Sequence, residues 1–101
     1  MVELGGNAPF LVLDDADLDV AVEGLVACMF NVSGQVCVCA NSIYVQESIH
    51  DQFIEKLVTA MQDFKVDPAA GANTTQGPLI NTTAVVKSKS HANYAIPNGG
   101  K

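Results

Sequence analysis

The sequence predicts an α/β fold in which parallel strands alternate with helices. Two short β-rich runs, Phe10-Leu11-Val12-Leu13 and Ser42-Ile43-Tyr44-Val45-Gln46, are each followed by a stretch whose apolar residues recur at helical spacing. Of the 101 residues, 49% are hydrophobic, enough for a packed core and too many for a disordered tail. The length allows one small domain.

Each element has a local cause. The run 10–13 lies between Gly5-Gly6 and Asp14-Asp15, and its continuous apolar character predicts a buried strand. Asp14, Asp15 and Asp17 supply helix-capping carboxylates and place negative charge at a helix N-terminus. Leu18, Val22, Leu25, Val26 and Met29 then predict an amphipathic helix over about 17–30, stopped by Asn31-Val32-Ser33-Gly34. Residues 35–40 form a loop with Cys37 and Cys39. The β-branched and aromatic run 42–46 is the second strand. Ser48 is placed to cap a second helix, with Phe53, Ile54, Leu57, Met61 and Phe64 on one face. Residues 67–77 read as a loop. A weaker helix runs from 82 to about 94 and is closed by Pro97-Asn98-Gly99-Gly100. Two strands make an unconvincing independent sheet, so the chain reads as part of a larger one.

Charge and cysteine usage exclude several functions. The net charge is −6, all cations are lysines, and there is no arginine, so binding of nucleic acid through its phosphates is not expected. No apolar run approaches the roughly 18–20 residues that cross a bilayer, and no membrane association is expected. The N-terminus lacks the pattern of a signal or transit peptide. Three cysteines, an odd number without such a signal, argue against a disulfide framework and for a reducing compartment. The sequons at Asn31, Asn73 and Asn81 then read as chance matches.

The chemistry-bearing residues are Cys37 and Glu3. Cys37 follows a helix and a glycine, in a loop whose free backbone N–H groups can stabilise an oxyanion. Its bland alternative is a small buried hydrophobe. Glu3 stands in Glu3-Leu4-Gly5-Gly6, 34 residues before Cys37. A thiolate that attacks a carbonyl and a carboxylate that later activates water are the minimum pair for covalent catalysis ended by hydrolysis. For Glu3 the alternative is a solvated residue near a chain end, and for Gly5-Gly6 a tight turn. Cys39 is either a redox partner that captures an oxidised Cys37 or a buried bystander. A metal site completed by Cys28, His50 or His91 matches no common zinc spacing, and none is expected. His50 and His91 read as surface residues.

Glu3-Leu4-Gly5-Gly6-Asn7-Ala8-Pro9-Phe10 followed by Gly34-Gln35-Val36-Cys37 resembles the aldehyde dehydrogenase superfamily. Asp14-Asp15-Ala16-Asp17-Leu18-Asp19, Cys37-Val38-Cys39-Ala40-Asn41 and Ile43-Tyr44-Val45-Gln46 are most similar to its succinate-semialdehyde dehydrogenases. The resemblance covers about residues 2–66, is extended by 75–80, and is loose beyond 82. It implies that Cys37 is the nucleophile and Glu3 the general base. It also implies that Leu4 and Gly5 lie near the nicotinamide of NAD or NADP, and that an aldehyde becomes an acid through a thiohemiacetal and a thioester. By the same resemblance the chain is the central part of a catalytic domain, without the nucleotide-binding domain, and no Gly-x-Gly-x-x-Gly fingerprint is present. The expected location is intracellular, in cytoplasm or mitochondrion.

Two positions depart from the family pattern. Asn31 stands where relatives carry an arginine that resembles a substrate-carboxylate ligand, and Ser42 where they usually carry another. A neutral amide gives no charge-assisted bidentate contact, a difference on the order of 1.5–3 kcal/mol. This leaves Asn31 as a substrate-binding candidate of altered specificity. Two other readings remain at this point. One is a truncated paralogue acting as an interaction module, self-associating or pairing with full-length subunits. The other is a thiol-redox or thioesterase-like remnant that uses Cys37 and Glu3 without a nucleotide.

Overall fold

The computed structural model describes residues 1–68, 70–71 and 73–100. Strand β1 (Ala8–Val12) leads to helix α1 (Leu18–Met29), a short 3-10 turn at Asn31–Gly34, and strand β2 (Ala40–Val45). Helix α2 (His50–Met61) and helix α3 (Thr82–Ala95) follow. The strands pair in parallel, with Phe10 opposite Ile43 and Val12 opposite Val45, and α1 is the crossover that a parallel pair requires.

Helix α1 begins where the sequence predicts. Asp17 caps it, its carboxylate accepting from the backbone N–H of Asp19 at 3.0 Å and of Val20 at 3.2 Å. Its apolar stripe carries Val22 and Leu25 into the core. Val12, Val22, Leu25, Ala40 and Phe53 form that core, with Phe10, Ile43, Val45 and Leu57 packed around it. Helices α1 and α2 therefore share one face of the sheet. Lys56 of α2 donates to Asp19 of α1 at 2.5 Å along the exposed seam between them.

Three expectations need correction. Strand β1 is not buried throughout: its residues alternate, Val12 being inside while Leu11 is 68% exposed. The apolar run is continuous, but only one face of the sheet is covered among the described residues. Ser48 does not cap α2. It lies inside a 3-10 turn, Glu47–Ile49, and the helix starts at His50 after Ile49, without a side-chain cap. Phe64, expected on the apolar face of the second helix, lies beyond α2, which ends at Met61. The loop expected at 67–77 is present and is tied at its base. Val66 bridges to Gln76, and the Thr75 hydroxyl accepts from the Lys65 N–H at 2.7 Å. Residues 69 and 72 of that loop, and the cation Lys101, lie outside the described residues.

Helix α3 matches its expected span and buries no residue among those described. Asn81 caps it by accepting from the Ala84 N–H at 2.9 Å. After the turn at Ile96–Asn98 the chain leaves through Gly99, at φ 90°.

Candidate active site

Parallel pairing decides where the candidate residues fall. The segment 3–7 enters β1 and the segment 35–39 enters β2, and both strands start from the same end of the sheet. An antiparallel pair would have sent these segments to opposite ends. The two segments approach each other at Gly6, where a Cβ would stand 3.7 Å from the Cys37 carbonyl oxygen. Gly6 has φ 133°, a conformation suited to glycine.

Cys37 sits at the second position of a turn closed by the Cys39 N–H donating to the Val36 carbonyl at 3.1 Å. The turn leaves Cys37 exposed and sends Cys39 inward, where it is 2% exposed. The Cys39 thiol donates to the Asn31 carbonyl, and the Cys28 thiol of α1 donates to the Val38 carbonyl, each at 3.5 Å. All three thiols are free. Cys37 is thus flanked by two contacts that tie its loop to the end of α1. The contribution of Cys28 has no signal in sequence beyond its position in the last turn of that helix.

The backbone before Cys37 is unusual. Val32 (φ 49°), Ser33 (φ 55°) and Gly34 (φ 74°) are consecutive left-handed residues. A β-branched residue there is strained by about 1–3 kcal/mol. Ser33 anchors the segment, its hydroxyl donating to the Gly77 carbonyl at 2.9 Å. The Gln35 side chain accepts from the Ile80 N–H at 3.1 Å. Asn31 is exposed at the head of this turn.

Glu3 is exposed, and one of its carboxylate oxygens accepts from the Gly5 N–H at 2.6 Å. That bond curls the side chain over its own backbone and leaves the second oxygen free for water. Leu4 is 89% exposed and Gly5 is exposed beside it. His50 is half-exposed next to Asp51, and His91 lies on exposed α3. Among the described residues no three His, Cys, Asp or Glu side chains gather in a metal-holding cluster. Nor is any helix among them long and apolar enough to cross a membrane.

A parallel βαβ unit with an exposed thiol and an exposed carboxylate at one end of its sheet places the chain among cysteine-bearing α/β proteins. The aldehyde dehydrogenase family model matches residues 1–101, and the chain belongs to that family. It is 50% identical to glutarate-semialdehyde dehydrogenase of Pseudomonas putida over 100 residues, covering 99% of this chain and 21% of that protein. Its identity to the mitochondrial succinate-semialdehyde dehydrogenase of Arabidopsis thaliana is 51% over 100 residues, 99% of this chain and 19% of that protein. The crystal structure of succinate-semialdehyde dehydrogenase from Burkholderia pseudomallei superposes with a TM-score of 0.91 at 49% identity, over 96% of this chain and 20% of that one. The chain thus spans about a fifth of the length of these relatives. The matched region includes the tail beyond residue 82.

Proposed function

We propose that this chain carries the nucleophile and the general base of an NAD- or NADP-dependent aldehyde dehydrogenase that oxidises an aldehyde to a carboxylic acid. The observation that carries this reading is the parallel register of β1 and β2. It sets the exposed Cys37 turn and the exposed Glu3 segment at one end of the sheet, with Gly6 against the Cys37 carbonyl. The Cys37 thiolate adds to the aldehyde carbon, and the resulting acyl group is released as the acid when Glu3 takes a proton from water. When bound, the nicotinamide cofactor accepts the hydride that this oxidation removes. Leu4 and Gly5 suit the nicotinamide end, offering an apolar side chain and open backbone beside Glu3. The sequence has no Gly-x-Gly-x-x-Gly loop to cradle the cofactor phosphates. In this reading the chain is the central part of a catalytic domain, and the nucleotide-binding domain lies outside it.

The substrate class in this reading is an aldehyde with a remote anionic group. Relatives named for glutarate semialdehyde, succinate semialdehyde and 3-sulfolactaldehyde support it, since each of those molecules has such a group. NADP is printed in the names of the Schizosaccharomyces pombe and Escherichia coli relatives, which favours the phosphorylated cofactor.

A chimera tests the reading. Residues 1–101 replace the matching segment of the Burkholderia pseudomallei enzyme, and aldehyde-dependent cofactor reduction is measured. Activity that survives the exchange and disappears in Cys37→Ala is the expected result. Activity that persists in Cys37→Ala removes the cysteine from the reaction.

A further inference from the structure

The chain's charge is divided in a way that its total hides. All eleven acidic residues lie at or before Asp67, and the remainder carries Lys87, Lys89 and Lys101 with His91 and no acid. The cationic part includes α3, an element that buries nothing among the described residues and so is not explained by packing. One side of that helix nevertheless faces a cavity of about 540 Å³. Lys87, Ser88 and His91 form one wall of it, and Asn7, Ser33 and Asn41 contribute to the other side.

Hydrogen bonds set the spacing of these walls. The Gln35 side chain holds the Ile80 N–H, two residues before α3, and Asn81 caps the helix. Ser33 is itself anchored to Gly77. The left-handed run at Val32 and Ser33 turns the chain into this arrangement, so the strained backbone shapes the cavity as well as the approach to Cys37. Asn7 adjoins Gly6, which meets the Cys37 carbonyl, and Asn41 is the second residue of β2. The cavity therefore opens at the end of the sheet that carries Cys37 and Glu3.

We propose that this cavity is an oxyanion-binding site, in which Lys87 supplies the charge and Ser88, His91 and the amides of Asn7 and Asn41 supply neutral donors, while Ser33, its hydroxyl committed to Gly77, shapes the wall. Lysine is the cation available in a chain without arginine, and as a compact point charge it binds carboxylate and phosphate without requiring a bidentate fit. An amide N–H₂, a hydroxyl and an imidazole N–H each donate to an anion. The site compensates for Asn31, which has no charge to offer an anionic substrate. The assignment of its occupant rests on the dehydrogenase reading, because the oxyanion would come either from a substrate carboxylate or from a cofactor phosphate. Binding itself does not depend on that reading.

The test is titration of the 101-residue protein with succinate and, separately, with pyrophosphate, followed by backbone NMR shifts. Saturable shifts clustered at Ser33, Asn41 and Lys87 to His91 are expected with at least one probe. Lys87→Met should weaken that binding about tenfold or more, as loss of a charge-assisted contact does, while Lys89→Met leaves it unchanged. A response to succinate alone assigns the site to a substrate carboxylate, a response to pyrophosphate alone assigns it to a cofactor phosphate, and a response to both establishes a shared site. Absence of saturable shifts, or shifts that survive Lys87→Met, overturns the proposal. The chimera supplies a second readout that does not require the segment to fold alone. There Lys87→Met should raise KM for a carboxylated aldehyde or for the cofactor with little change in kcat; an unchanged KM for both overturns the proposal. Loss of activity with anion binding intact would instead reject the dehydrogenase reading and leave the site standing.

Discussion

The buried Cys39 thiol donates to the carbonyl of Asn31 at 3.5 Å, spanning the loop from the end of α1 to the start of β2. Cys37 projects from the turn closed by that buried residue and is exposed. Accessibility therefore separates two cysteines that are only two positions apart in sequence. In the folded protein at neutral pH, a small electrophile should label Cys37 first, and Cys39 should react only after denaturant is added. Peptide mapping by mass spectrometry reads the order. Equal labelling of both in the native protein would mean that the turn does not hold.

The same contact predicts a stability effect. Cys39→Ala removes a buried sulfur and leaves the Asn31 carbonyl without that donor. The expected loss is about 1–2 kcal/mol in urea unfolding. Because Cys39 ties the loop to the turn that follows α1, labelling of Cys37 should also change in rate. A variant with unaltered stability and unaltered Cys37 reactivity would show that Cys39 positions nothing.

Backbone geometry at Val32 and Gly34 makes opposite predictions for neighbouring substitutions. Gly34 has φ 74°, and a Cβ there would stand 3.2 Å from the Met29 carbonyl, so Gly34→Ala should cost about 1 kcal/mol or more. Val32 is strained at φ 49° and is 65% exposed, so little packing is lost when it is replaced. Val32→Asn should stabilise by a few tenths to about 1 kcal/mol, since asparagine tolerates this region. Thermal unfolding of the two variants against the parent chain gives both signs in one experiment.

Among the described residues, the outer face of the sheet is bare. Leu11 and Tyr44 are register partners and are 68% and 60% exposed, with Leu13 exposed beyond them. Apolar residues adjoining on an uncovered sheet face favour association. The isolated chain should self-associate with rising concentration, and Leu11→Thr with Tyr44→Thr should shift light scattering toward the monomer. Phe53→Ala, by contrast, removes a ring from the centre of the core and should cost about 3–5 kcal/mol, enough to unfold a chain this small.

Much of this architecture is legible in the residues, for reasons that differ by element. Helix α1 declares itself through Asp17 and the spacing of Leu18, Val22 and Leu25, because capping and periodicity agree there. Cys37 and Glu3 stand out because two short motifs recur at a family spacing. Their location at the same sheet end depends on parallel pairing, which alternation of strands and helices implies. Burial of β1 was less legible, since Phe10-Leu11-Val12-Leu13 has the same pattern whether one face or both are covered. The turn at Val32 argues against its own residue type, as valine rarely adopts positive φ and nothing local announces it. His91 reads as a surface residue, and it is exposed; its place on a cavity wall arises from tertiary hydrogen bonds at Gln35 and Ser33.

The variant Glu3→Gln separates the two roles in the proposed reaction. If Cys37 forms the acyl intermediate and Glu3 only activates the water that resolves it, Glu3→Gln should leave the first half intact and slow the second by about 100-fold or more. Gln keeps the side chain's shape and an oxygen able to accept from the Gly5 N–H, which Glu3 engages at 2.6 Å. The turn should therefore survive while the proton acceptor is lost. In the chimera, a single-turnover burst of reduced cofactor followed by near-arrest is expected, with an acyl adduct on Cys37 detected by intact mass. No burst and no adduct would place Glu3 before the acyl intermediate rather than after it, and unchanged steady turnover would remove Glu3 from the chemistry.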